Sequence, residues 1–155
     1  YDGGIEINVL AAKPGSAAAK RHIDAGAATA FRNQPQAVKA GDLLFISALM
    51  AIDRDGLVPS ARVDPRQPYF SSSPEAQAEV IVGSIARLCE AAGTSLGNVV
   101  RVLQFHTDIA EFYPVYKVWE RRLGGRALPF AAIEVPGPLP VPGATVMIEA
   151  WAYAP

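Results

Sequence analysis

The chain has 155 residues, 14 basic and 15 acidic, for a formal net charge of −1 and a pI near 6.1. That length suits one domain with a core of its own. The scattered basic residues argue against a nucleic-acid binder, and no apolar run is long enough to span a bilayer.

Gly4–Ala12 (GIEINVLAA) alternates as a strand does, and the stretch 13–20 (KPGSAAAK) reads as a linker. Ile5-Glu6 matches Ile148-Glu149 near the other end, so residues 1–12 are expected to close a preceding homologous unit. The domain proper is then 21–155. A turn at Ala40–Asp42 leads into an apolar strand, Leu43–Met50. Asp53-Arg54-Asp55-Gly56 is a tight turn, and Leu57–Ser71, with prolines at 59, 65 and 68, reads as an ordered loop.

The chain is organised around Ser72–Asp108. Ser72 and Glu75 form a capping-box pattern, and Pro74 suits a first helical turn. Ala78, Ile81, Val82, Ile85, Leu88, Cys89 and Ala92 make one apolar helix face, leaving Glu79, Arg87 and Glu90 to water. Gly93 ends the helix and Val99–Thr107 follows as a strand. Asp108 caps a second helix, Glu111–Leu123, with Phe112, Tyr116, Trp119 and Leu123 on one side and Gly124-Gly125 at its end. Phe130–Val135 is a strand, Pro136–Gly143 a rigid connector and Thr145–Ala154 the last strand. The order β-β-α-β-α-β-β predicts an α+β fold with both helices on one face of a mixed sheet. Cys89 lies on the apolar face and reads as a structural thiol; with no signal peptide visible, the expected location is cytoplasmic.

QAVKAGDLLFIS, AAGTSLGNVVRVLQFHTDIAEF, IEV and MIEAWAYA, in that order, resemble the Rid (YjgF-like) family of reactive-intermediate deaminases, also described as endoribonucleases L-PSP. The resemblance runs from about Ile23 to the C-terminus. It implies a chorismate-mutase-like fold and homotrimers with ligand clefts between subunits; a tandem pseudo-trimer would serve equally here. It also implies cofactor-free hydrolysis of 2-imino or 2-enamino acids to 2-keto acids and ammonia.

The same resemblance places the substrate site on Gln34, Ser47, Ala48, Tyr116, Phe130 and Met147, and there the chain departs from the family. Phe130 stands where an arginine grips the substrate carboxylate, and Met147 where a glutamate positions the attacking water. Tyr116 replaces an asparagine, Gln34 a tyrosine and Ala48 a glycine; Ser47 is retained. A carboxylate drawn from water into a cleft needs a planar cation, which phenylalanine cannot supply. Arg32, on the loop that approaches the family cleft, is a candidate replacement; Arg126 is a poorer one, and the ordinary reading of Arg32 is a solvated surface residue. Phe130 reads either as apolar filler or, with Tyr116, as the lining of a pocket for a ligand without a carboxylate. Glu134 and Glu149 are candidate acid–base groups or members of ion pairs, and His106 reads as structural. Trp119 and Trp151 read as packing residues. Neither His106 nor His22 has metal-ligand spacing around it, and no catalytic residue is assigned. The expectation is a small-molecule hydrolase of the deaminase lineage with a remodelled site, or a non-catalytic partner domain. RNA cleavage, implied by the older family description, lacks a basic surface.

Overall fold

A computed structural model of the chain describes residues 9–13, 15, 19–31, 33–64, 66, 69 and 72–155. The expected strand at 4–12 lies outside them up to residue 8, and residues 9–12 have no regular structure. Arg32 also lies outside the described residues.

The longest helix, α1 (Ser73–Ala91), starts where the Ser72 hydroxyl accepts a bond from the Glu75 N–H at 3.4 Å, with Pro74 in the first turn. Its predicted apolar stripe, from Ala78 to Ala92, is buried throughout. At the far end Thr94 N–H turns back onto the Cys89 carbonyl, and Gly93 takes the left-handed conformation (φ +84°) that this reversal requires.

The strands in chain order are β1 (Lys20–Ile23), β2 (Ala37–Ala40), β3 (Leu43–Leu49), the short hairpin β4 (Ile52–Asp53) and β5 (Gly56–Leu57), β6 (Val99–His106), β7 (Phe130–Glu134) and β8 (Val146–Tyr153). Six of them form one sheet in the order β1-β2-β3-β8-β6-β7. Only β6 and β7 are parallel, because α2 (Phe112–Leu123) carries the chain back between them. The stretch 13–20 is not a linker to its end: Lys20 opens β1, which pairs with β2 along the sheet edge. Of its four residues only Ile23 is buried, so β1 lacks the alternation that marks a strand.

Asp108 caps a short 3₁₀ turn, Ile109–Glu111, through the Ala110 N–H at 2.9 Å, and α2 follows, ending at Gly124 (φ +59°). The buried side of α2 is Val115, Val118 and Trp119. Phe112, Tyr116 and Leu123, predicted to share the buried stripe, are half-buried along its border. Glu79 of α1 accepts bonds from Arg121 (2.5 Å) and Arg122 (2.6 Å) of α2, and Glu75 meets Arg121 at 3.1 Å. No helix among the described residues is long and apolar enough to cross a membrane.

Both helices cover the sheet face made by Leu44, Ile46, Val102, Ile148 and Ala150, all buried. Leu103, Phe105 and Trp151 point the other way and are half-buried, with no helix over them among the described residues. On that open face Phe45 packs edge-on against Trp151 (5.1 Å), and Arg101 lies 4.8 Å above the Trp151 ring while holding Glu149 at 2.7 Å.

Candidate functional site

Phe130 opens β7, where the Pro129 carbonyl accepts the Val102 N–H at 3.0 Å. Its parallel pairing with Val102 turns the phenyl ring to the helix side of the sheet. There it meets Phe112 (5.5 Å between ring centroids) and Tyr116 (5.6 Å), which stack on each other at 5.9 Å. Phe112 and Tyr116 are four apart on α2 and so share a face. Beside this cluster is a cavity of about 290 Å³ between α2 and the returning segment 125–130, walled by Tyr116, Trp119, Leu123, Leu128 and Phe130. Glu120 and Arg126 stand at its exposed rim. The Arg126 guanidinium lies over Gly97, where an added Cβ would come within 2.8 Å of Nη1 and the flexible arginine side chain would have to shift aside.

The remaining predicted residues gather elsewhere. The Ser47 hydroxyl donates to the Pro35 carbonyl (2.6 Å) and the Ser47 N–H to the Gln36 carbonyl (3.0 Å), docking the Gln34 loop on β3. Gln36 braces that loop by accepting the Ala25 and Ala27 N–H groups. Ala48 sits in a register irregularity between Ile46 and Leu49. Met147 packs against the small apolar cluster of Met50, Ile52, Leu139 and Ala144. Ser47 on β3 and Phe130 on β7 are three strand spacings apart in the sheet, about 14 Å. Within one chain the predicted residues therefore fall into two separate groups.

A second, larger hollow of about 590 Å³ lies between residues 24–28 and the β4–β5 hairpin, lined by Asp24, Gln36, Asp53 and Asp55 among others. Its carboxylates do not converge, and among the described residues no three acidic, histidine or cysteine side chains are placed to hold a metal.

The carboxylates considered as acid–base groups have structural partners. Glu149 is held by Arg101, and Glu134 accepts the Ile109 N–H at 2.9 Å. Burial, with Glu90 adding to it, pushes the Cys89 thiol up to about 11, which leaves it protonated and inert. Burial pushes His106 down from its ordinary value and holds the imidazole neutral. Trp119 and Phe112, read from the sequence as members of the apolar helix face, wall or adjoin the cavity, and Arg126, the poorer of the two candidate cations, stands at its rim. The aromatic pair at 112 and 116 was visible as an i, i+4 spacing; the approach of Arg126 to Gly97 had no local signal.

The chain matches the family model described as Endoribonuclease L-PSP over residues 25–154. Among solved structures it is similar to RidA from the Antarctic bacterium Psychrobacter sp., with 30% identity, 86% of this chain and 98% of that one covered, and a TM-score of 0.68. It is also similar to the Rid protein YyfA from Yersinia pestis, with 27% identity, coverage of 87% and 99%, and a TM-score of 0.70. A RutC family protein of Sinorhizobium fredii is 32% identical over 85 residues, which are 54% of this chain. The match spans 59% of the length of that curated relative.

Proposed function

This chain belongs to the Endoribonuclease L-PSP family, and from that membership and the aromatic pocket we propose that it is a cofactor-free hydrolase of the imine and enamine deaminase lineage. Its substrate lacks the carboxylate that other members hold. The observation that carries this reading is Phe130, packed against Phe112 and Tyr116 at the position the family resemblance gives to the carboxylate-binding arginine. Hydrolysis adds water across the C=N bond and expels ammonia from the resulting carbinolamine, leaving the carbonyl product. The reactive form is the protonated iminium, and three aromatic faces attract a cation of that kind without a counter-ion. They also offer a planar apolar surface to its substituents.

The site is completed between subunits of a homotrimer. Two half-sites about 14 Å apart across the sheet support this reading. So does the open face, whose charge pair Arg101–Glu149 is already matched within the chain and carries no unpaired charge into an interface. Light scattering reads the assembly directly; a monomer in solution overturns it.

The activity is tested with imines generated in situ by amine and amino-acid oxidases. Ammonia release above the buffer rate is expected for neutral imines and not for 2-imino acids. No acceleration for either class refutes the hydrolase. One set of observations favours a second reading, a non-catalytic ligand-binding domain: Met147 is apolar, and both Glu134 and Glu149 are engaged in structural bonds. That reading predicts saturable binding of neutral ligands with no turnover.

A further inference from the structure

Buried polar atoms without a partner are concentrated in one part of this fold. Eight such side-chain atoms occur among the described residues, and seven lie between β6 and α2 or at the start of β8. They are both amide atoms of Gln104, both ring nitrogens of His106, Glu111 Oε2, Trp119 Nε1 and Thr145 Oγ1. Gln104 and His106 are two apart on β6, so both side chains leave on the helix side. Thr145 lies next to His106, since its carbonyl accepts the Thr107 N–H at 3.0 Å. After the turn, α2 runs back along β6: the Phe112 ring is 6.2 Å from the His106 ring. Trp119 is seven residues further on, about 10 Å along the helix axis. The unpaired atoms thus all belong to residues on the helix-facing side of β6, on α2 or in the segments next to them.

Gln104 and His106 are 0% exposed and Trp119 1%, so bulk solvent does not reach them. Buried polar groups are otherwise nearly always paired, and a cluster of unpaired ones marks a shared partner. That partner is not a metal ion, since no set of ligands for one is assembled there. Burial, reinforced by Asp108, pushes the Glu111 carboxyl up, and the Thr145 hydroxyl offsets part of that rise. Burial pushes His106 the other way, so in both groups it works against the charged form. Amide, imidazole, hydroxyl and indole together call for an occupant that donates and accepts, and the smallest is water.

We infer that the wedge between β6 and α2 binds a file of internal water molecules linking Glu111, His106, Gln104 and Trp119. A buried water makes about three hydrogen bonds, so seven atoms call for about two to three waters. Trp119 belongs to both features, its ring to the cavity wall and its N–H to the file. The file therefore backs the aromatic pocket with exchangeable water, one side-chain layer behind Tyr116 and Phe112.

Water-oxygen magnetic relaxation dispersion on the whole chain counts internal waters with long residence, and Q104L/H106L removes four of the seven atoms. The wild-type chain is expected to show about two more such waters than the double variant. Equal counts overturn the inference. Where the double variant fails to fold, a high-resolution crystal structure of the wild-type chain decides. Ordered water bonded to Gln104 and His106 supports the file; direct pairing of these side chains with each other, a dry wedge or a different ligand refutes it.

Discussion

Replacing Phe130 with arginine puts a guanidinium where the family resemblance requires a carboxylate anchor. The ring now packs at 5.5 Å from Phe112 and 5.6 Å from Tyr116. Losing two aromatic pairs costs about 0.5–1.5 kcal/mol each. A guanidinium against the same two faces recovers about 0.5–1 kcal/mol. The net loss, about 0–2.5 kcal/mol, is small against the 5–15 kcal/mol typical of a domain, so F130R should fold. A charge-assisted bond to a carboxylate contributes about 1.5–3 kcal/mol. At 1.4 kcal/mol per decade, F130R should bind a 2-oxo acid roughly ten- to a hundredfold more tightly than the wild type. F130K, lacking the planar fork, should gain less. Isothermal calorimetry at two salt concentrations measures both. A folded F130R with unchanged carboxylate affinity would refute the assignment of Phe130 to the anchor position.

E79Q releases Arg121 and Arg122 from α1, and since the network is partly exposed its loss should cost about 1 kcal/mol or less in denaturant unfolding. Burial works against the Glu79 charge, but the bonds from Arg121 and Arg122 prevail and hold its carboxyl below the ordinary 4.5. Its stabilisation is therefore full above that value and fades as pH falls through the lowered pKa; E79Q should flatten the acid limb of the Tm profile. Q77L removes the bonds that Gln77 donates to Ser73 Oγ (3.0 Å) and the Gly143 carbonyl (3.1 Å) and the one it accepts from the Thr145 N–H (3.0 Å). This should destabilise the chain by about 1–3 kcal/mol and speed hydrogen exchange at the Thr145 amide, and unchanged exchange would count against the staple. F105E places a charge on the open sheet face and should reduce the assembly to monomers by light scattering; a retained trimer mass would show that this face is not buried between subunits.

Where sequence and structure agree, the signal is local. Ser72 with Glu75 and Gly93 mark the two ends of α1 because caps satisfy backbone groups within a few residues of themselves. β6 and the α1 stripe were legible because burial imposes periods of two and 3.6 on the residues that carry it. The family resemblance names Gln34, Ser47 and Ala48, which neighbour one another in the fold, and Tyr116 and Phe130, whose rings pack together. Arg126, the poorer candidate cation of the sequence, stands at the pocket rim over Gly97, 29 positions earlier in the chain, and no short window records that approach.

The amino-acid order by itself determined the two helices and the longer strands and the apolar stripe of α1, and the family resemblance marks Phe130 as the place where an anchor cation is expected. Only the tertiary structure decided that Lys20–Ile23 is a sheet edge and that the predicted site residues fall into two groups three strands apart. It alone gathered the unpaired atoms of Gln104, His106, Glu111, Trp119 and Thr145 into one wedge. Strand pairing and helix packing join residues tens of positions apart, and the free energy of those contacts depends on geometry that no local pattern encodes.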